Sequence, residues 1–285
     1  MFKSTTTTKT TPTTTTTTTN TTRVASDKRK AVCLGINNYP GTSNDLRGCV
    51  NDAKAWQNLL AATYGFRTHL LLDKQATYGG FTETLGNYIA DSKAGDHIVG
   101  TYSGHGTNVP DQNGDESDGR DEALCLYDGY LVDDSIREMF KNLHPDATLT
   151  FISDSCHSGT VTRQFIVEMN NGDNPKARYM PPKDDEEALN VSVSNIGTRL
   201  FHPEADMKEI LISGCLPTEY SYDARIGGTF RGAMSYYAIN VLKQYPTITY
   251  ENFYGKLRQQ LPSSRYSQTP QLEGSDHNKA KIMFK

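Results

Sequence analysis

Two residues of this chain are placed for nucleophilic chemistry. Cys156 follows Thr148-Leu149-Thr150-Phe151-Ile152-Ser153-Asp154-Ser155 and precedes His157-Ser158-Gly159. His105 lies in Ser103-Gly104-His105-Gly106, directly after Asp96-His97-Ile98-Val99-Gly100-Thr101-Tyr102. A thiolate is a strong nucleophile, and a nearby imidazole can take the thiol proton and later hand it to a leaving group. By default a cysteine at a strand end is a small core residue and a lone histidine a satisfied one. Here both end apolar runs beside glycines, which let the backbone turn and a substrate approach. That joint delivery points to catalysis. His157 adjoins the nucleophile, but strand alternation turns it to the other side, so His105 is the expected base.

The runs before these residues are short, rich in β-branched and aromatic side chains, and end at polar residues, which predicts buried strands. In an open parallel sheet, ligands sit beyond the carboxyl ends of the strands. Ala31-Val32-Cys33-Leu34-Gly35-Ile36 reads as a first strand, 51–60 as a helix with Gly65 as its C-cap, 68–72 as a second strand and 81–89 as a second helix. This β-α-β-α-β order predicts a three-layer αβα sandwich with a mostly parallel central sheet. Further on, 123–127 reads as a hairpin strand, and 133–140 as a helix opened by two acids that suit its positive end. A fifth strand is expected at 209–215 and helices at 229–244 and 250–261. Residues 268–272 suggest a loop or edge strand, and 281–284 a last edge strand.

Two stretches break the pattern. Residues 1–28 are dominated by threonine with almost nothing to bury, so a disordered tail is expected. Residues 164–205 carry Asn170-Asn171-Gly172-Asp173-Asn174-Pro175, Pro181-Pro182 and an acidic run from Asp184 to Glu187; so long a connection is expected to be functional or mobile. The globular domain is therefore 29–285, divided by this linker into 29–163 and 206–285.

Ser103-Gly104-His105-Gly106 and Asp154-Ser155-Cys156-His157-Ser158-Gly159 resemble the two catalytic motifs of the metacaspases, within the caspase-like cysteine peptidases. The 51 residues from His105 to Cys156 match the caspase arrangement. Caspases proper have Gln-Ala before the cysteine; Asp154-Ser155 points to the metacaspase branch. The resemblance covers roughly 29–285 and implies the caspase-like fold and a Cys156–His105 dyad. Backbone amides near Gly104 and Cys156 are the expected oxyanion donors. Asp52, Asp154 and Ser103 match the positions with which metacaspases line their specificity pocket. Asp154, two residues before Cys156, leaves the strand on the same face as the nucleophile. Two carboxylates in one pocket would select a basic side chain, best a bidentate Arg. The plain alternatives, a helix-start acid for Asp52 and a turn residue for Asp154, stay open. Cys49 would lie near that pocket without a catalytic role. Cleavage after Arg or Lys would make Lys176, Arg178, Lys183 and Arg199 in the linker natural self-cleavage points.

No cofactor is needed for thiol chemistry. The acidic stretch Asp111 to Glu122 lacks EF-hand spacing and reads on its own as a solvated loop. The resemblance adds calcium as an activator, with Asp121, Asp133 and Asp134 as its acids. A further acid of the family's ion site is replaced here by Arg163.

Composition bounds the rest. The 285 residues carry a net charge of −4, which gives no electrostatic footprint for nucleic acid. No apolar run approaches membrane-spanning length, and the first residues lack a signal peptide's apolar core. Five cysteines, an odd number without paired or zinc spacing, suggest reduced thiols in a cytoplasmic protein. Cys33, Cys125 and Cys215 sit in apolar runs and read as core. A monomer acting on proteins or peptides with a basic residue is expected. The rival is an inactive scaffold of the same fold that binds peptides; the presence of both dyad residues counts against it.

Overall fold

The computed structural model describes Met1 and residues 26–110, 120–156, 174–181, 204–216 and 218–285. The expected tail up to residue 25, His157, the acidic stretch 111–119 and most of the linker lie outside the described residues, as do Arg163, Lys183 and Arg199.

The chain runs β1 (Ser26–Gly35), α1 (Cys49–Tyr64), β2 (Phe66–Leu72), α2 (Tyr78–Ala90) and β3 (His97–Ser103). A hairpin region follows, β4 (Gly106–Pro110), β5 (Arg120–Cys125) and β6 (Tyr130–Val132), then α3 (Asp133–Phe140) and β7 (Thr148–Asp154). The second half holds β8 (Lys176–Ala177), β9 (Ile210–Ser213), β10 (Tyr222–Ile226), β11 (Thr229–Gly232), α4 (Ala233–Gln244), α5 (Tyr250–Arg258), β12 (Gln271–Glu273) and α6 (Asp276–Lys279).

Six strands form the central sheet in the order β12-β9-β7-β3-β1-β2. All neighbours are parallel except the β12–β9 edge pair. Helices cover both faces, as the run Ala31-Val32-Cys33-Leu34 requires, since all four side chains are fully buried. Alternation sorts them. Ala31 and Cys33 pack with Trp56, Leu60, Met234, Leu242 and Phe253 on the α1/α4/α5 face. Val32 and Leu34 pack with Phe81, Leu85, Ile89 and Phe140 on the α2/α3 face. Gly65 ends α1 in the left-handed region at φ 73°, its N–H returning to Leu60 and Ala61. The three-layer αβα sandwich and the buried, free thiols of Cys33, Cys125 and Cys215 agree with the expectation.

Three differences matter. Residues 229–232 form strand β11 rather than the start of a helix, and β10–β11 is a hairpin turned by Gly227 and Gly228, both at positive φ. Residues 281–284 form no strand, only an isolated bridge between Thr249 and Ile282; the end is held instead by Phe284 packing against Tyr64, Phe66 and Tyr250. Residues 176–177 form β8 inside the expected linker and pair antiparallel with β10. Among the described residues no helix is long and apolar enough to cross a membrane.

Candidate active site

β3 and β7 are neighbours, and their last residues, Ser103 and Asp154, are register partners. His105 and Cys156 each stand two residues past that pair, so the strand register itself brings the imidazole and the thiol to one edge of the sheet. Their surroundings meet at one atom. The carbonyl oxygen of Arg178 accepts the N–H of Gly106 at 2.9 Å and that of Cys156 at 3.2 Å. Two amides on one oxygen make the arrangement an oxyanion site uses. The glycine donor is Gly106, one residue past the histidine. The expected donor, Gly104, lies instead beneath the hydroxyls of Tyr39 and Tyr102, where a Cβ would have no room.

His105 is held firmly. Its N–H donates to Tyr39 Oη at 2.8 Å, and its carbonyl accepts the Tyr102 hydroxyl at 2.6 Å. The rings of Tyr39 and His105 pack at 4.9 Å between centroids. Nε2 lies 2.7 Å from the carbonyl of Asn44. A carbonyl only accepts, so Nε2 carries the proton and Nδ1 has a free lone pair. Nδ1 is buried with no hydrogen-bond partner among the described residues. Burial pushes the imidazole down to about 4, against the Asn44 bond, so it is neutral, a base, at pH 7. Cys156 is fully buried; its sulfur receives the Ser221 N–H at 2.9 Å and faces the Ser221 carbonyl at 3.5 Å.

The pocket beside the dyad is acidic and occupied. Arg178 is fully buried, its guanidinium 2.6 Å from Asp52 Oδ2, 3.2 Å from Asp154 Oδ2 and 3.5 Å from Asp223 Oδ1. Asp52 comes from the first turn of α1 and is fixed by Gly232 N–H at 2.8 Å. Asp154 closes β7 and accepts Ser235 N–H at 2.9 Å and the Ser221 hydroxyl. Asp223, on β10, accepts Arg47 N–H at 2.7 Å. One guanidinium cannot neutralise three buried carboxylates. Burial pushes the Asp52 carboxyl up to about 7 and raises that of Asp223, the pull of Arg178 notwithstanding. Burial alone would lower Arg178, but the carboxylates around it outweigh that and hold it well above its ordinary value. Asp52 and Asp154 are thus brought together as expected. Ser103 is buried nearby, but its hydroxyl has no partner among the described residues. Cys49 borders the pocket, and its thiol is pushed far up by burial.

Sequence reasoning missed Asp223, Ser221 and the Asn44 carbonyl. Gly227-Gly228 between two alternating runs was the available signal for the first two, because a hairpin there puts Ser221 and Asp223 on one face. A backbone carbonyl such as that of Asn44 leaves no trace in residue type.

The acids expected to take calcium lie on β5 and α3, outside the contacts of His105 and Cys156. Asp121 is buried on β5, and Asp133 opens α3, 3.4 Å from Arg137. Burial pushes Asp133 up to about 7, and Asp134, Glu122 and Asp121 add to the rise. Among the described residues no three acidic, His or Cys side chains are grouped to hold a metal ion.

Comparison with known proteins bears on family and fold. The caspase domain family matches residues 28–281. Metacaspase-1 of Cryptococcus neoformans is 32% identical over 296 residues, which is 90% of this chain and 64% of that protein. Metacaspase-1 of Scheffersomyces stipitis is 31% identical over 91% of this chain and 73% of its own length. The chain therefore spans about two thirds of the curated relatives it matches. A crystal structure of a Geobacter sulfurreducens protein superposes with TM-score 0.69 at 27% identity, covering 90% of this chain and 98% of that one. Caspase-1 of Spodoptera frugiperda shares the fold, with TM-score 0.56 at 12% identity over 89% of this chain and 88% of its own. With the motifs, the sheet and these matches in agreement, the chain belongs to the caspase domain family, in its metacaspase branch.

Proposed function

We propose that this chain is a cysteine endopeptidase that cuts after Arg or Lys by a Cys156–His105 dyad. The observation that carries the reading is a single arginine, Arg178, with its side chain among three carboxylates and its carbonyl on the amides of Gly106 and Cys156. Asp52, Asp154 and Asp223 select the cationic residue on the amino side of the scissile bond, and Arg fits best because its planar fork bonds several oxygens at once.

In the reaction, His105 Nδ1 removes the Cys156 proton and the sulfur attacks the carbonyl carbon. Gly106 and Cys156 N–H groups stabilise the oxyanion. Nδ1 then protonates the departing amine, leaving a thioester that water hydrolyses. Asn44 keeps the proton on Nε2 and so leaves Nδ1 free for both transfers. His105 and Cys156 share no hydrogen bond in the resting state, a looseness common before a substrate is engaged. The expectation of a monomer is kept in this reading.

The enzyme also processes itself within the linker after a basic residue. Calcium enters this reading only as an activator around Asp121, Asp133 and Asp134, and no step runs through it. The test is turnover of matched peptides ending in Arg, Lys or Asp before the reporter, with chelator and with added Ca²⁺. Turnover of the Arg and Lys peptides only, lost in Cys156→Ala, is expected. Preference for Asp, or turnover that survives Cys156→Ala, overturns the reading. Equal rates with chelator and with Ca²⁺ remove the calcium part alone.

A further inference from the structure

A third reactive side chain stands at the same edge of the sheet. β7 and β9 are parallel neighbours, with Ser153 the register partner of Ser213. Two residues further on, Ser155 and Cys215 meet across the gap, and the Cys215 thiol donates to the Ser155 carbonyl at 3.6 Å. The residue after Ser155 is Cys156. Gly214 permits this approach, since a Cβ there would stand 3.0 Å from the Ser221 hydroxyl and 3.2 Å from the Asp154 carboxylate. Cys156 and Cys215 belong to one buried cluster with Tyr179 and Tyr220. A side-chain hydrogen bond with Cys156 is the first cause that holds the Cys215 thiol well above its ordinary value, ahead of burial. Neighbouring strands lie about 4.8 Å apart, and disulfides span Cα separations of about 4.4–6.8 Å. Register alone therefore puts the two cysteines within bonding range.

The two sulfurs are engaged differently. The shortest hydrogen bond of Cys156 is one it receives, from the Ser221 N–H at 2.9 Å. Both main-chain bonds of Cys215 are donated, to the carbonyls of Ser155 at 3.6 Å and Glu219 at 3.5 Å. Their access differs too. Cys156 has no exposed surface. Cys215 lines a cavity of about 890 Å³ with Phe140, Phe151, Ser153 and Gln271. Phe140 and Phe151 belong to the α2/α3 face of the sheet, so among the described residues the cavity reaches the two thiols from the face away from α1 and Asp52.

We infer that Cys156 and Cys215 are a peroxide-sensitive pair: hydrogen peroxide entering by this cavity oxidises Cys156, and Cys215 closes the product to a reversible disulfide. This rests on the reading of Cys156 as the nucleophile. The Cys156 sulfur attacks one peroxide oxygen, the O–O bond breaks, and a sulfenic acid forms. The other oxygen leaves as water with the proton that His105 Nδ1 removed from the thiol. The Cys215 sulfur then attacks the Cys156 sulfur, and the hydroxyl departs with the Cys215 proton as a second water. Two thiols lose two electrons, and one peroxide becomes two waters. The disulfide occupies the nucleophile and halts turnover. It also spares Cys156 from irreversible oxidation to the sulfinic acid. A dithiol reductant returns both thiols by exchange.

The test exposes the purified full chain to graded hydrogen peroxide, blocks the remaining thiols by alkylation and maps the cysteines by mass spectrometry of digests. Turnover of an Arg-reporter peptide is followed in the same samples before and after dithiothreitol. A linked peptide joining Cys156 to Cys215 is expected, its yield tracking the loss of turnover, and dithiothreitol should return most of the starting rate. In Cys215→Ser the same dose should leave Cys156 as the sulfinic acid, with a loss that dithiothreitol no longer reverses. Cys215→Ala should behave alike, each variant being compared with its own untreated rate. The linked peptide in the wild-type chain is read without any variant. Recovery in both variants equal to wild type, a link from Cys156 to Cys49 or Cys125 instead, or a wild-type Cys156 oxidised without any link overturns the inference; Arg-peptide turnover by the untreated chain then leaves the peptidase reading intact. The Cys156–Cys215 link in a chain without Arg-peptide turnover supports the pair and removes the peptidase reading.

Discussion

Replacing Asp52 by Asn keeps the shape of the pocket and removes one of its three negative charges. The carboxylate holds the Arg178 guanidinium at 2.6 Å and the Gly232 N–H at 2.8 Å, and the amide oxygen of Asn can accept at the same place. A buried hydrogen bond to a charged group contributes about 1.5–3 kcal/mol, a neutral one about 0.5–1.5. The loss is therefore about 1–2 kcal/mol, about 5–30-fold in kcat/KM for an Arg peptide at pH 8, because Asp154 and Asp223 remain. The pH dependence separates this effect from simple damage. Burial pushes Asp52 up to about 7 with the guanidinium in place; an empty pocket raises it further, since Arg178 is what pulls it down. Wild-type kcat/KM should fall as pH drops through neutrality, while His105, pushed down to about 4, remains a base throughout. In Asp52→Asn this acid limb should move down, and the two enzymes should converge near pH 6. Stability changes with the opposite sense. The folded carboxyl holds its proton above the usual carboxylate range, so charge burial is a cost that is present above about pH 7 and relieved as pH falls toward 4. The variant should melt no lower than wild type at pH 8, with a shallower slope between pH 4 and 7. An unchanged acid limb, or a loss beyond a thousand-fold at every pH with the fold intact, would refute this account of the pocket.

Two further outcomes check the scaffold around the dyad. Gly104→Ala puts a methyl against the tyrosine hydroxyls that hold the His105 backbone, so kcat should fall at least tenfold while KM for an Arg peptide and the far-UV spectrum change little. Leu60→Ala empties a fully buried site on α1, far from the chemistry. It should cost about 2–5 kcal/mol, read as a lower denaturant midpoint at constant m-value, with kcat preserved below the transition.

The parallel sheet and its two helical layers are legible in the residues, as is the placement of His105 and Cys156 two positions beyond neighbouring strand ends. Each rests on local pattern: apolar runs without alternation for strands buried on both faces, helical spacing between them, and a reactive residue two positions beyond a strand end. Thr229 to Gly232 reads as helix because those residues run directly into the apolar pattern of α4, yet they form β11; the hairpin signal is Gly227-Gly228.

Sequence alone determines which side chains are offered to the proposed site: a thiol, an imidazole and two acids, each fixed by side-chain type and by its place at the end of a strand or the start of a helix. Tertiary structure alone decided what faces them. Asp223 joins the pocket because β10 and β11 fold against the end of α1 and over Asp154. Asn44 sets the tautomer of His105 through a backbone carbonyl, and Arg178 crosses from the linker to fill the site. The Asn44–His105 and Arg178–Asp52 contacts span 61 and 126 residues of chain, and local spacing does not encode such closures. They follow from which strands become neighbours in the sheet and from the need of three buried carboxylates for a cation.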